Sequence, residues 1–115
     1  MEKRVEISIL LDCYGELLTD KQKNIMELYY NDDLSLAEIA EINNTSRQAI
    51  HDLTKRCTHL LEEYESKLHL MEKTLTIEYS KKEIIEKLKN LEEFIPNADV
   101  KQNLECIIKE IVDNV

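Results

Sequence analysis

Between positions 47 and 56 the chain sets Arg47, Gln48, His51, Lys55 and Arg56 close together. Arginine can bond guanine bidentately in a major groove, glutamine can do the same for adenine, and lysine or a second arginine can neutralise phosphate. On a helix, Gln48, His51 and Lys55 follow Arg47 at steps of one, four and eight residues and fall on one side, together with Asp52. This is contact chemistry rather than turnover. No nucleophile, base and orienting group come together anywhere in the sequence. A chain with one glycine has no Gly-rich phosphate loop. The expectation is a protein that is not an enzyme and needs no cofactor.

The other reactive side chains give the same answer. His51 and His59 lie eight residues apart, about 12 Å by helical rise, too far to share a metal. His59 with Glu63 makes an i, i+4 pair, but two ligands are not a site, and no metal centre is expected. Cys13, Cys57 and Cys106 lack CxxC spacing and are odd in number, which suits a reduced, cytoplasmic chain. Cys57 falls in an apolar stripe and reads as a small core residue. No apolar run approaches the roughly 20 residues of a membrane span, so no membrane insertion is expected.

To project those five residues outward, the chain must build a braced helix. One Gly and one Pro among 115 residues, with 34% charged and 43% apolar side chains, describe an all-α protein of long helices. A first helix is predicted over residues 2 to 18, with Ile7, Leu10, Leu11, Tyr14, Leu17 and Leu18 inward. Thr19 with Gln22, and Ser35 with Glu38, are capping boxes opening a second and a third helix. The second should bury Ile25, Leu28 and Tyr29, and the third Leu36, Ile39 and Ala40. After Asn43 and Asn44, a fourth helix begins at Thr45 or Ser46, the motif register favouring Ser46 as cap. In the turn, Asn44 tolerates a left-handed backbone, whereas Asn43 replaces an apolar packing contact.

The fourth helix should continue well past the compact unit, because Ile50, Leu53, Cys57, Leu60, Leu61, Tyr64, Leu68 and Met71 extend one stripe for about 25 residues. Beyond Leu61 that stripe needs cover from the C-terminal segment or from a second subunit, and a homodimer is expected. The β-branched stretch KTLTIEY within residues 72 to 79 reads as a boundary. This divides the chain into a helix-turn-helix domain, residues 1 to 71, and a C-terminal helical hairpin, residues 72 to 115, packing on the long helix or on a second subunit. In the hairpin, Ser80 with Glu83 caps a helix that presents Ile84, Leu88, Leu91 and Ile95 inward and closes at Pro96. A last helix from Asn97 or Asp99 turns Val100, Leu104, Ile107, Ile108, Ile111 and Val115 inward.

Charge is uneven. Residues 1 to 45 carry 4 basic and 10 acidic side chains, residues 61 to 115 carry 8 and 13, and only residues 46 to 60, with 3 and 1, are positive. The positive window coincides with the five contact residues. The surrounding acidity would repel a duplex and suits a basic protein partner.

The motifs LLTDKQ, MELYY, DLSLAEIA and SRQAIHD, in this order across residues 17 to 70, resemble the YlxM-type family of small helix-turn-helix proteins, and more distantly the fourth, promoter-reading region of sigma factors. The resemblance implies a winged-helix-free, sigma-region-four-like bundle whose long recognition helix begins near Ser46. It implies DNA, or RNA, as the ligand of Arg47, Gln48, His51, Lys55 and Arg56. It also implies a regulatory role beside the signal recognition particle GTPase, either on nucleic acid or as an adaptor that binds the GTPase or its RNA complex.

Overall fold

A computed structural model describes residues 1–115 as six α-helices without strands: α1 (Lys3–Tyr14), α2 (Asp20–Tyr30), α3 (Leu36–Ile42), α4 (Arg47–Leu68), α5 (Leu70–Glu92) and α6 (Ala98–Asn114). A single 3-10 turn, Gly15–Leu17, follows α1. The all-α helix-turn-helix architecture is therefore the one the sequence requires. The chain divides into two compact units, Met1–Met71 and Glu72–Val115.

The helix starts in the first unit are set locally. Thr19 accepts from the Gln22 amide while the Gln22 side chain accepts from the Thr19 amide, and Ser35 with Glu38 repeats the arrangement. Each box satisfies two amides that a helix N-terminus leaves without partners. Two apolar clusters then fix the helices. Ile7, Leu10, Leu11, Tyr14 and Leu18 pack with Met26, Cys57 and Leu61, joining α1, α2 and α4. Ile25, Ile39, Ala40 and Ile50 join α2, α3 and α4, and Leu53 packs against both clusters. Burial raises the Cys57 thiol pKa, keeping the group protonated as a core residue should be.

Several details depart from the sequence expectation. Leu17 is exposed, because the 3-10 turn rotates it away from the α1 stripe. Met26, rather than Leu28 or Tyr29, joins Ile25 as the fully buried pair of α2. The α4 stripe is covered within the chain by α1, which buries Cys57 and Leu61 and packs beside Tyr64 and Met71. Of that stripe only Leu68 is left exposed. Arg4 pins the same layer by donating to the Tyr29 carbonyl and to Asp33, its guanidinium 4.8 Å from the Tyr29 ring centre and 5.2 Å from that of Tyr30.

α4 stops earlier than its apolar pattern. His69 adopts a left-handed backbone, φ 54°, and α5 begins at the next residue. The new helix start is capped from a distance: the Leu70 amide donates to the Tyr14 hydroxyl at 3.0 Å and the Met71 amide to the Glu65 carboxylate at 2.9 Å. Tyr14 itself donates to Glu65 at 2.6 Å. Burial, and then the bond to Glu65, raise the Tyr14 pKa, so the hydroxyl keeps the proton it donates. The break thus falls at His69, and the KTLTIEY stretch is helix interior. Thr76 returns its hydroxyl to the Glu72 carbonyl, and Ser80 is a mid-helix residue rather than a cap.

In the second unit α5 and α6 form the expected antiparallel hairpin. Asn97 caps α6 through the Asp99 and Val100 amides. Lys81 donates to the Val112 and Val115 carbonyls, closing the far end of the hairpin. The seam is narrower than expected. Leu104 and Ile108 are buried, with Ile85, Leu88, Ile95 and Ile111 partly covered, while Ile84, Leu91, Val100, Ile107 and Val115 are exposed. Two helices in contact share a stripe about two positions wide per heptad, so the flanking positions stay outside it.

Two expectations follow. Tyr14→Phe or Glu65→Ala should each cost about 1–3 kcal/mol in urea unfolding, and the double variant should cost less than the sum, because the first change already breaks the shared network. In the hairpin, a hydrogen bond to Glu105 is the main cause holding the Glu92 carboxyl above its ordinary value of 4.5. The folded hairpin therefore holds that proton more tightly than the unfolded chain. Its contribution to stability is present at low pH and lost as pH rises through the raised value. Glu105→Gln, which keeps a hydrogen-bonding partner and removes one charge, should raise the melting temperature at neutral pH and flatten its dependence as pH rises above the ordinary carboxylate value of 4.5.

Candidate nucleic-acid interface

α3 braces α4 through a turn of defined geometry. Asn44 is left-handed at φ 54°, its amide donates to the Glu41 carbonyl at 3.3 Å, and the Thr45 amide donates to the Ala40 carbonyl at 3.0 Å. These are the two bonds of a Schellman helix ending, with asparagine in the position that glycine usually takes. Asn43, which the sequence marks as a lost packing contact, bonds its side-chain amide to the Ile39 carbonyl at 2.9 Å instead. Ser46 accepts from the Ala49 amide at 3.1 Å and so caps α4, settling the choice between Thr45 and Ser46. These bonds close the polar turn.

Inside the corner, Ile39 and Ile50 are fully buried and Ala40 is nearly so, its small side chain allowing α3 and α4 to cross closely. Thr54 is also buried on the inner side of α4, its hydroxyl returned to the His51 carbonyl at 2.8 Å. Its polarity concealed this inner position in the sequence.

Arg47, Gln48, His51, Lys55 and Arg56 are all exposed. The first four share the outward row of the first three turns, and Arg56 lies on its flank. Leu36 at the start of α3 and Arg47, Gln48 and His51 line an open groove of about 390 Å³. Leu36 packs inward against the Ile25, Ile39, Ala40 and Ile50 cluster, as the sequence placed it, and its edge also lines that groove. Asp52 intervenes in the row, accepting from Gln48 at 3.0 Å and lying 3.7 Å from His51 Nδ1. It holds the Gln48 amide in place and adds one negative charge to an otherwise basic face. Arg47, Lys55 and Arg56 make no ion pair within the chain. Lys23, on α2, is paired with Glu16.

This corner is what the sequence pattern of the UPF0122 family describes, "Putative helix-turn-helix protein, YlxM / p13 like", and the pattern matches residues 1–106. The chain belongs to this family. A UPF0122 protein of Clostridium novyi (strain NT) is 54% identical over 115 residues, spanning all of both chains. A relative in Clostridium acetobutylicum is 54% identical over 111 residues, 96% of each chain. A third, in Clostridium kluyveri, is 60% identical over 91 residues, 79% of this chain and 82% of its own. As a UPF0122 family member, the chain matches the family pattern through the whole of α1 to α5 and into α6. No helix is long and apolar enough to cross a membrane.

The corner depends on Ala40 being small. Ala40→Leu should destabilise the first unit by about 1–3 kcal/mol, measured by urea unfolding, because the added atoms must enter the α3–α4 crossing.

Proposed function

We propose that the protein is a nucleic-acid-binding regulatory protein that inserts the start of α4 into a major groove. Arg47 and Gln48 would read base edges, His51 would approach the groove wall, and Lys55 and Arg56 would hold phosphates. The observation that carries this reading is the bonded α3–turn–α4 corner, which holds an exposed, mainly basic row at the face by which helix-turn-helix motifs dock. Double-stranded DNA is the favoured ligand and structured RNA the comparison, because A-form major grooves are too narrow for a helix.

With the three cations Arg47, Lys55 and Arg56 engaged, log affinity should fall with log salt at a slope of about −3. The acidity of the chain as a whole, net charge −9, keeps binding weak. That acidity favours a second reading: an adaptor in the cytoplasmic signal recognition particle pathway that docks on the targeting GTPase or its RNA complex.

Fluorescence anisotropy with duplex DNA and with hairpin RNA, at low and moderate salt, tests the first reading. Arg47→Ala combined with Lys55→Ala should weaken DNA binding by at least about tenfold and shallow the salt slope by about one to two. Absence of binding at low salt, or undiminished binding by the double variant, would sink it. Adding the targeting GTPase to the same titration separates the adaptor reading, which requires a complex that survives the double substitution.

A further inference from the structure

The hairpin of the second unit is two-faced. Ile77, Ile84 and Leu91 recur every seven residues along α5, and Val100 and Ile107 do so along α6; their exposures run from 46% to 53%. On a helical projection the α5 stripe lies about 60° from the middle of the α5–α6 seam, and the α6 stripe about 70° from it. In an antiparallel pair those rotations carry both stripes to the same side of the hairpin. That side is an apolar strip two helices wide. The opposite side carries Glu78, Lys82, Lys89, Lys101, Glu105 and Lys109, with the half-exposed Val112 among them, and is mainly charged. A two-helix layer with one apolar face is half of a bundle.

The rims of the strip are charged unequally. Lys73, Ser80 and Lys87 border it on α5, and Asn103 and Glu110 on α6, all exposed. Neither Lys87 nor Glu110 has an ion-pair partner within the chain. The hairpin's own bonds fix the level of each. Lys81 lies opposite Val112 and Val115, and Glu92 opposite Glu105, so Lys87 stands at the height of Glu110.

We propose that this face pairs with a second copy of the chain about a two-fold axis parallel to the helices, forming a four-helix bundle in which α5 lies against α6 of the partner subunit. Leu91 then meets Ile107 of the partner subunit, and Lys87 meets Glu110 of the partner subunit, twice by symmetry. The alternative two-fold, with α5 against its own copy, opposes lysine rim to lysine rim and glutamate to glutamate and is disfavoured by charge. This assigns self-association to the α5–α6 face rather than to the α4 stripe, which α1 already covers. It does not depend on nucleic-acid binding.

Sedimentation equilibrium of the full chain, without nucleic acid, tests the pairing. The wild type should be dimeric at micromolar concentration. Ile84→Asp with Ile107→Asp should be monomeric, with circular dichroism showing that helix is retained. Because that variant could lose the hairpin itself, two rim changes carry the decision. Lys87→Glu should raise the dimer dissociation constant by about tenfold, and adding Glu110→Lys should restore it. Lys82→Glu, the same charge change on the opposite side, should leave it unchanged. A monomeric wild type overturns the proposal, as does a dimer indifferent to Lys87→Glu or one not rescued by Glu110→Lys. A monomer would leave the face to an intrachain contact or to a different protein.

Discussion

α4 is held in two places along its length, and each hold has a different partner. Near its start, Ile50 enters the cluster made by Ile25, Ile39 and Ala40; two turns later, Cys57 and Leu61 enter the cluster made by α1 and Met26. Leu53 belongs to both. A helix gripped at two levels resists rotation about its axis as well as tilt, and rotation is what would scatter the outward row of Arg47, Gln48, His51 and Lys55. The burial is therefore a condition for the interface, because contacts to base edges require side chains presented in a fixed register.

α1 performs a second task. Its Tyr14 hydroxyl accepts from the Leu70 amide and donates to Glu65, whose carboxylate accepts from the Met71 amide, so α1 both covers the α4 stripe and helps to set where α4 ends. Without those bonds a left-handed histidine between two leucines has no local reason to break a helix, since the apolar pattern runs on through Leu68 and Met71. The result is a long helix α4 of 22 residues followed by a separate helix of 23. The family relatives in Clostridium novyi and Clostridium acetobutylicum align across both.

The acidic character of the chain and the basic character of the α4 start are compatible because they occupy different surfaces. Net positive charge is confined to the window 46–60, while the segments on either side of it are acidic. On the second unit the pattern is apolar rather than charged, with unpaired Lys87 and Glu110 at its margins, and that combination suits a protein surface.

Local chemistry in the sequence determined the capped helix starts at Thr19 and Ser35, the all-α class and the outward placement of Arg47, Gln48, His51, Lys55 and Arg56, and it narrowed the α4 start to Thr45 or Ser46, because capping and a 3.6-residue period act between near neighbours. The Asn43–Asn44 turn was partly legible: Asn44 was readable as a left-handed residue, but the bond from Asn43 to Ile39 was not. Tertiary structure alone decided that α1 covers the α4 stripe, that Thr54 lies inside, that Arg4 stacks on Tyr29 and Tyr30, and that α4 breaks at His69 rather than within KTLTIEY. It also decided which apolar residues of the hairpin are seam and which are flank. The physical reason is the same in each case. A hydrophobic period says that a face must be covered without naming the cover, and the hydroxyl that caps Leu70 at the start of α5 comes from Tyr14, 56 residues away along the chain.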